Sequence, residues 1–154
     1  TIAWAGTLCS NPPMVGVAIR PQRHSHQLIT ASQEFIVNIP GEGQLEQLDY
    51  CGVHSGKDQD KFTATGLTPI EADHVKAPLI KECPVALECA VRQIINLGTH
   101  DLFIGEILGI QIDEAVLDEK GRLDYGKANP IVYNPQQYWN LGQVIGVHGF
   151  SKRQ

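Results

Sequence analysis

Several signatures of common cofactor chemistry are missing from this sequence. It contains no G-x-G-x-x-G after a predicted strand, no G-x-x-x-x-G-K-[ST] loop and no G-x-S-x-G turn. These absences exclude a Rossmann dinucleotide site, a P-loop and the nucleophile turn of an α/β-hydrolase. Apolar runs of about 20 residues and a signal peptide are missing as well, so we expect no membrane as a partner.

Paired cysteines and excess positive charge are also lacking. The four cysteines are Cys9, Cys51, Cys83 and Cys89. Without C-x-x-C spacing they argue against zinc or a redox dithiol, and they favour reduced thiols in the cytoplasm. His24 and His26 are the only closely spaced histidines, and a spacing of two is weak for a metal site, so we expect no metal. The net charge of −5 argues against a nucleic-acid partner.

The sequence does contain enough apolar residues for one packed domain. Its 154 residues are 42% hydrophobic and 19% charged, which is the balance of a globular protein. No repeat or low-complexity stretch divides residues 1–154. Short apolar runs bounded by proline and glycine outnumber helical patterns. The sequence therefore predicts a single, mainly β domain, an antiparallel barrel or sandwich with a few covering helices.

The clearest β signal is a long hairpin between Cys83 and Ile112. Apolar and polar residues alternate strictly before a break at Ile94–Ile95, where we expect a bulge, and alternate again after a turn. The alternating residues of the second strand are assigned to the interior: Leu102, Ile104, Glu106, Leu108, Ile110 and Ile112. Within that row we interpret Glu106 as a structural polar group rather than a catalytic one.

A buried strand from Met14 to Arg20 leads into a basic turn and then a helix with Ser25 as its predicted N-cap. Free backbone N–H groups, a hydroxyl and one or both of the arginines Arg20 and Arg23 would suit a bound anion there. A capped surface helix with solvated charges gives the same pattern, so these residues alone leave both interpretations open.

Five further segments complete the prediction for the rest of the chain. They are a strand at Glu34–Ile39, a short helix at Gln44–Cys51, a polar loop typical of functional sites at Cys51–Lys61, an edge strand around Pro69, and a last strand or loop at Leu141–Gly149.

An ordered set of motifs resembles the flavin reductase-like family of FMN-binding split barrels. The motifs are T-I-A-W, S-N-P-P-M-V-G-V-A-I-R-P, R-H-S-H-Q-L-I, E-F-I-V-N-I-P, S-G-K-D-Q-D-K-F, A-P-L-I-K-E-C-P-V-A-L-E-C, G-T-H-D-L-F-I-G-E-I and Y-W-N-L-G. D-K-F and G-T-H-D most resemble the flavoredoxins, which are FMN electron carriers of anaerobes. The family's first strand, before T-I-A-W, is expected to be missing here.

The resemblance implies a six-stranded antiparallel split barrel that forms a homodimer with FMN near the subunit interface. Nine residues match positions that lie near the cofactor in the family: Thr1, Ala3 and Trp4 beside the flavin, Arg23, Ser25 and His26 near the phosphate and ribityl chain, Lys61 and His100 near the isoalloxazine, and Tyr133 as an aromatic beside the ring.

Two classes of function follow from the resemblance. The first is an FMN protein that moves electrons, either as a carrier with a redox-protein partner or as a flavin reductase that takes electrons from NAD(P)H. The second is a non-catalytic barrel that binds another ligand, such as haem. Independently of any resemblance, a phosphate dianion suits a helix start with arginine, and a flat ring suits aromatic or apolar faces.

Overall fold

The structure is a computed structural model that describes residues 1–152. Within that range the chain forms nine strands: β1 (Ala5–Ser10), β2 (Pro13–Ile19), β3 (Glu34–Ile39), β4 (Pro69–Ile70), β5 (Leu79–Ile80), β6 (Val85–Asn96), β7 (Asp101–Ile112), β8 (Val132–Asn134) and β9 (Gln137–Trp139). The α-helices are α1 (His24–Ser32), α2 (Leu45–Val53), α3 (Lys61–Thr65) and α4 (Tyr125–Ala128). Over the same residues, no helix is long and apolar enough to cross a bilayer.

Five of these strands build one antiparallel sheet in the order β1-β2-β7-β6-β3. The long hairpin of β6 and β7 forms its middle, with pairs running from Val85 and Ile112 to Asn96 and Asp101. Strands β4 and β5 form one separate ribbon, and β8 and β9 form another. The predicted mainly β fold with an antiparallel sheet and few helices is confirmed. The central sheet of the described residues has five strands, where six were expected.

Most of the predicted elements are found within one to three residues of their expected bounds. The strand predicted at Met14–Arg20 is observed at Pro13–Ile19, and the strand predicted at Glu34–Ile39 is β3 with the same bounds. The helix predicted at Gln44–Cys51 is observed at Leu45–Val53. Proline 69 begins the two-residue strand β4, away from the central sheet, as its missing N–H requires. Residues 141–149 form a loop rather than a last strand.

One face of the sheet carries the core. The buried side chains that cluster there are Val15, Val17, Ile19, Phe35, Cys89 and Phe103. Gly105 lets the ring of Phe35 approach the sheet, because a Cβ at position 105 would lie 2.5 Å from Phe35 Cζ. This packing fixes the end of β2, and therefore the position of the basic turn that follows it.

The predicted interior row of β7 is wrong. A register shift at Leu108 divides the row. Leu102 and Ile104 lie on the face opposite the buried ring of Phe103, whereas Ile110 and Ile112 pair with Leu87 and Val85 on the side of Cys89, where they are nevertheless 54% and 37% exposed. Both rows of β7 are apolar, so alternation did not show which row faces the core. The fully buried ring of Phe103 determines the inner face.

Glu106 lies in the exposed row and is therefore not an interior group. Its carboxylate accepts a 2.7 Å hydrogen bond from Arg92 Nε, and both side chains reach solvent. Exposed ion pairs contribute about 0–1 kcal/mol. Its structural role stays a prediction, and its setting is the outer face of the sheet rather than the interior.

The bulge in β6 also lies elsewhere than predicted. Register shifts occur between Glu88 and Cys89 and between Val91 and Gln93, whereas Ile94–Ile95 pairs regularly with β7. The first shift adds Leu108 to β7, and the second adds Arg92 to β6. Glu88 and Cys89 therefore lie on opposite faces, Cys89 in the core and Glu88 under the loop that contains His74, and each is fully buried.

Buried Glu88 ties the loop before β5 to the sheet. Its Oε2 accepts a 2.7 Å hydrogen bond from the backbone N–H of His74, and its Oε1 accepts one of 3.2 Å from Gln111 Nε2. Desolvation raises the pKa of this carboxyl, but the hydrogen bonds from His74, Gln111 and the Asp73 backbone outweigh it and lower the pKa. The charged form of Glu88 therefore stabilises the folded chain.

We expect Glu88→Gln to lower the free energy of unfolding at pH 7 by about 1–3 kcal/mol, because charge-assisted bonds to a buried group are lost. A lowered pKa adds stability above about pH 4.5 that disappears as the pH falls through the folded-state value. Chemical denaturation at pH 7 and pH 4 should show a smaller difference between variant and parent at pH 4. Exposed Glu119→Gln is the control, and an equal loss at both pH values would contradict this account.

Candidate functional site

The basic turn after β2 sets the start of α1. The backbone N–H of Arg23 donates a 2.9 Å hydrogen bond to the carbonyl of Arg20, and Arg23 becomes the N-cap without any side-chain capping bond. The prediction that Ser25 caps the helix is wrong, because this turn closes earlier and places Ser25 inside the first helical turn. Arg20 and Arg23 therefore both precede the first residue of α1, and no side chain caps this helix.

His26 fastens α1 to the sheet. Its Nε2 lies 2.7 Å from Asp101 Oδ2, and Asn96 Nδ2 donates a 2.7 Å bond to the other carboxylate oxygen. The ring of Phe103 meets the imidazole edge-on at 5.0 Å. Hydrogen bonds from His26 and then Asn96 lower the pKa of Asp101. The Nε2 atom of His26 is therefore engaged in a hydrogen bond that holds α1 against the sheet.

Trp4, Arg20 and His100 meet at the same end of the sheet. The rings of Trp4 and His100 are 4.6 Å apart at a tilt of 38°, and Arg20 Nε donates to His100 Nε2 at 3.4 Å. His100 Nδ1 lies 3.0 Å from Thr99 Oγ1. Because Nε2 accepts from Arg20, Nδ1 carries the proton and donates to Thr99. The imidazole of His100 therefore packs against the exposed Trp4 ring, and hydrogen bonds with Arg20 and Thr99 fix its orientation.

Lys61 reaches the site from the polar loop between α2 and α3. Lys61 is the first residue of α3, and the N-cap Asp60 accepts hydrogen bonds from the backbone N–H groups of Phe62 and Thr63. The ammonium group of Lys61 donates a 2.5 Å hydrogen bond to the Cys51 carbonyl near the end of α2. A helix carboxyl end carries partial negative charge, so this position suits a cation.

Gly56 brings Lys61 close to α1. A Cβ at position 56 would lie 3.6 Å from His24 Cδ2 and 3.9 Å from Lys61 Cε. His24 Nδ1 is buried and has no hydrogen-bond partner among the described residues. A buried polar nitrogen without a partner is costly. It is therefore an available group for a ligand beside Lys61.

The surroundings of Thr1 connect these groups. Thr1 as a residue is exposed, but its nitrogen is desolvated. This desolvation, and then the charges of Lys61 and Arg23, lower the pKa of the Thr1 amino group. Lys61 and Arg23 therefore each lie within electrostatic range of the Thr1 nitrogen.

An apolar groove runs along the outer face of β1 and β2 from this end of the sheet. Its volume is about 400 Å³, and it is lined by Ala3, Trp4, Ala5, Gly6, Leu8, Gly16, Ala18 and Leu102. We call it the β1–β2 groove. Ala3 and Trp4, both predicted from the sequence to lie near a cofactor, form its wall.

Tyr133 makes its described contacts within its own hairpin. It stands on the β8–β9 hairpin, packs on Tyr138 with ring centres 5.4 Å apart, and accepts a 3.2 Å bond from the Gln136 backbone at its hydroxyl. Tyr138 donates a 2.8 Å bond to Asp49 of α2. Desolvation and then Asp49 raise the pKa of Tyr138 to about 12. In the described range, no aromatic pair or hydrogen bond joins Tyr133 to Trp4 or His100.

The structure adds three residues that the prediction of site residues omitted. Arg20 contacts His100, Asp101 holds His26, and His24 presents its unpartnered nitrogen. Arg20 and His24 were visible in the basic turn, and Asp101 follows His100 in G-T-H-D. What the sequence lacked was their orientation, which depends on the pairing of β2 with β7.

The arrangement favours a ligand with a flat ring and an anionic end. Arg23, Lys61 and His24 supply donors and positive charge on a chain of net charge −5. Trp4 and the β1–β2 groove supply apolar surface. Clusters of three or more His, Cys, Asp or Glu side chains able to hold a metal ion are not found within residues 1–152.

The antiparallel sheet and the basic site at its end define the class of the fold, a split barrel like those of flavin reductase-like proteins. The family model described as flavin reductase like domain matches residues 1–142, and the chain belongs to that family.

Two solved structures and one sequence relative illustrate the similarity. Flavoredoxin of Desulfovibrio vulgaris (Miyazaki F) superposes with a TM-score of 0.92 at 34% identity, over 99% of this chain and 82% of that one. An FMN-binding protein from Thermus thermophilus, with bound 1-cyclohex-2-enone, gives 0.78 at 30% identity, over 90% and 75%. A protein of Archaeoglobus fulgidus is 38% identical over 81% of this chain and 71% of its own length.

The chain is shorter than its curated relatives. It spans 66% of the length of a relative from Pyrococcus abyssi and 51% of one from Aquifex aeolicus.

Asp101→Ala should loosen α1 from the sheet, because His26 loses its acceptor beside the buried ring of Phe103. We expect backbone hydrogen exchange of α1 to quicken several-fold while that of α4 stays unchanged. Asp118→Ala, which removes an exposed ion pair with Arg122, is the matched control. Unchanged exchange in α1 would show that the His26–Asp101 pair does not hold the helix.

Proposed function

We propose that this protein binds FMN and works as an electron carrier in the manner of a flavoredoxin. The observation that carries the proposal is that two features lie at one end of the sheet. The first is a group of basic residues, Arg23, Lys61 and His24, which we call the cationic cluster, and the second is the β1–β2 groove with Trp4 in its wall. Membership of the flavin reductase-like family and the similarity to flavoredoxin support it. The cytoplasmic location remains a prediction.

The residues present fit the cofactor's phosphate. A phosphate dianion needs several donors and positive charge, and a helix start adds backbone N–H groups. Arg23 and Ser25 would hold it, and the unpartnered Nδ1 of His24 gains a partner if it donates a hydrogen bond to a phosphate oxygen. His26 contributes by fixing α1 in place through Asp101.

The residues at the groove fit the ring. Trp4 presents an exposed face, and His100 behind it is oriented by Arg20 and Thr99. Bound flavin accepts and releases electrons through its ring, which is chemistry that no side chain here supplies. The protein's part is to hold the ring, to shield one side of it from water, and to set the local charge.

The same site would also suit a flavin reductase that takes electrons from NAD(P)H. No contact in the described structure distinguishes a nicotinamide site. Steady-state oxidation of NADH and NADPH by the FMN-loaded protein separates the two functions. A carrier gives negligible turnover and accepts electrons from a redox-protein partner, whereas rapid turnover with free FMN would establish a reductase.

We also propose that the working form is a homodimer. The sheet exposes apolar side chains on both faces, Leu8 opposite the core and Ile110 and Ile112 on the side of Leu87 and Val85, and β1 and β3 are the edges of the central sheet. Exposed apolar surface of this kind favours an interaction, and a symmetric pair covers the same surface on both copies.

Arg23→Ala tests the phosphate site. Charge-assisted hydrogen bonds are worth about 1.5–3 kcal/mol, so we expect FMN affinity to fall at least about tenfold while riboflavin affinity stays constant. Isothermal titration with both ligands measures the difference. Arg122→Ala removes an arginine paired with Asp118 on the surface and should change neither affinity. Equal weakening for FMN and riboflavin would contradict a phosphate contact.

Lys61→Met tests the role of this lysine at the ring. A cation about 6 Å from a developing negative charge at an effective dielectric of about 20 contributes about 2.8 kcal/mol, and exposure reduces this to about 1–2 kcal/mol. The midpoint potential of bound FMN should then fall by roughly 20–45 mV.

A redox titration of parent and Lys61→Met protein measures that potential. Lys57→Met, in the same loop, is the control and should leave it unchanged. A potential that does not move, together with weaker FMN binding and unaltered riboflavin binding, would assign Lys61 to the phosphate instead.

A further inference from the structure

The two arginines of the basic turn lie on different sides of the sheet end. Ile19, the last residue of β2, is buried in the core and pairs with Asp101 of β7. Arg20 comes one residue later, and because successive residues of a strand alternate, its side chain is directed to the opposite face. Arg23 is instead the N-cap of α1, whose Ile29 packs against the core. The two side chains therefore have different surroundings.

The face to which Arg20 is directed is that of the β1–β2 groove. Trp4 and Ala18 line this groove, and the backbone N–H of Ala18 donates a 3.0 Å hydrogen bond to the Trp4 carbonyl. Ala18 pairs with Leu102, which also lines the groove. One step further along the same face, the register brings Arg20 opposite His100. Arg20 therefore lies at the groove rather than at the start of α1.

Arg20 fixes the tautomer of His100. Its Nε donates a 3.4 Å hydrogen bond to His100 Nε2, and a guanidinium group contains donors only. The imidazole proton is therefore on Nδ1, which lies 3.0 Å from Thr99 Oγ1. With both of its nitrogens engaged, the imidazole cannot turn without breaking a hydrogen bond, and it packs against the Trp4 ring with centres 4.6 Å apart. The orientation of the Trp4 ring thus depends on Arg20 through His100.

We propose that Arg20 is a positioning residue for the ring-binding end of the site and is not a ligand of the phosphate. It holds His100 in one tautomer, and His100 supports the Trp4 ring against which a flavin ring would lie. This inference rests on the FMN binding proposed above. The two arginines then have separate roles, because Arg23 binds the anionic end of the ligand and Arg20 orders the surface for its ring.

Nuclear magnetic resonance of the ligand-free protein tests the first contact without any flavin. The nitrogen chemical shifts of an imidazole distinguish its tautomers, and we expect the proton of His100 on Nδ1, with cross-relaxation between the His100 and Trp4 rings. In Arg20→Met, which removes the donor, we expect the other tautomer to appear and the cross-relaxation to weaken. A proton on His100 Nε2 in the unmodified protein, or unchanged signals in Arg20→Met, would overturn the proposal.

Flavin affinities test the separate roles of the two arginines. Loss of one orienting hydrogen bond in Arg20→Met should weaken FMN and riboflavin by the same factor, about three- to tenfold, so the ratio of the two affinities stays constant. Arg23→Ala should lower that ratio, because only FMN has a phosphate. A lowered ratio in Arg20→Met would make Arg20 a phosphate ligand, and unchanged affinities would leave it without a role, so either result contradicts the proposal.

Arg20→Gln is the matched variant. Its amide nitrogen is as many bonds from Cα as Arg20 Nε, so it keeps a donor for His100 and removes the charge. We expect Arg20→Gln to recover most of the affinity for both flavins that Arg20→Met loses. Recovery no better than in Arg20→Met would show that the charge matters rather than the hydrogen bond, and would refute the positioning role. Arg122→Met, at an exposed arginine paired with Asp118, should change neither affinity.

The two proposals fail separately. A protein that binds neither flavin removes the proposed function, whereas the tautomer of His100 and its response to Arg20→Met still decide the positioning role. A protein that binds FMN with the proton of His100 on Nε2 removes the positioning role and leaves the cofactor role intact.

Discussion

The site depends on how α1 is joined to the central sheet. His26 reaches from the first turn of the helix to Asp101 at the start of β7, beside the fully buried ring of Phe103. A short, largely buried hydrogen bond to a charged group is stronger than a neutral one. Since Asp101 pairs with Ile19 at the end of β2, the same contact fixes both sides of the basic turn. The backbone positions of Arg20 and Arg23 are therefore defined, although both residues are exposed.

Positive charge is concentrated at this end of an otherwise acidic chain. Lys61 donates a hydrogen bond to the Cys51 carbonyl and lies close to His24 across Gly56, and Lys61 and Arg23 both lie within electrostatic range of Thr1. Grouping like charges costs energy unless a counter-charge is bound, and that cost is what an anionic ligand relieves. The adjoining groove offers apolar surface to the rest of such a ligand. The two surfaces together explain why one molecule with a phosphate and a flat ring fits here.

Much of this fold could be predicted from the sequence, but which side of each strand faces the core could not. Strict alternation located the long hairpin, and prolines bounded β2, because those signals are local. The inner face of β7 was missed because both of its rows are apolar and because a bulge at Leu108 exchanges the faces of the two rows partway along the strand. The burial of Glu88 depends on the loop that contains His74, which covers it from a distant part of the chain. Similarly, the sequence placed Trp4 and His100 among candidate residues, whereas Arg20 and Asp101 required the register between β2 and β7.

The central claim is that the cationic cluster and the groove bind FMN through its phosphate as well as its ring. Titration of the ligand-free, unmodified protein with FMN, riboflavin and haem, followed by absorption spectroscopy and calorimetry, measures this most directly. The account predicts one FMN per chain and an affinity for FMN at least about tenfold greater than for riboflavin, with no haem uptake. Equal affinity for FMN and riboflavin, or uptake of haem in place of FMN, would contradict it.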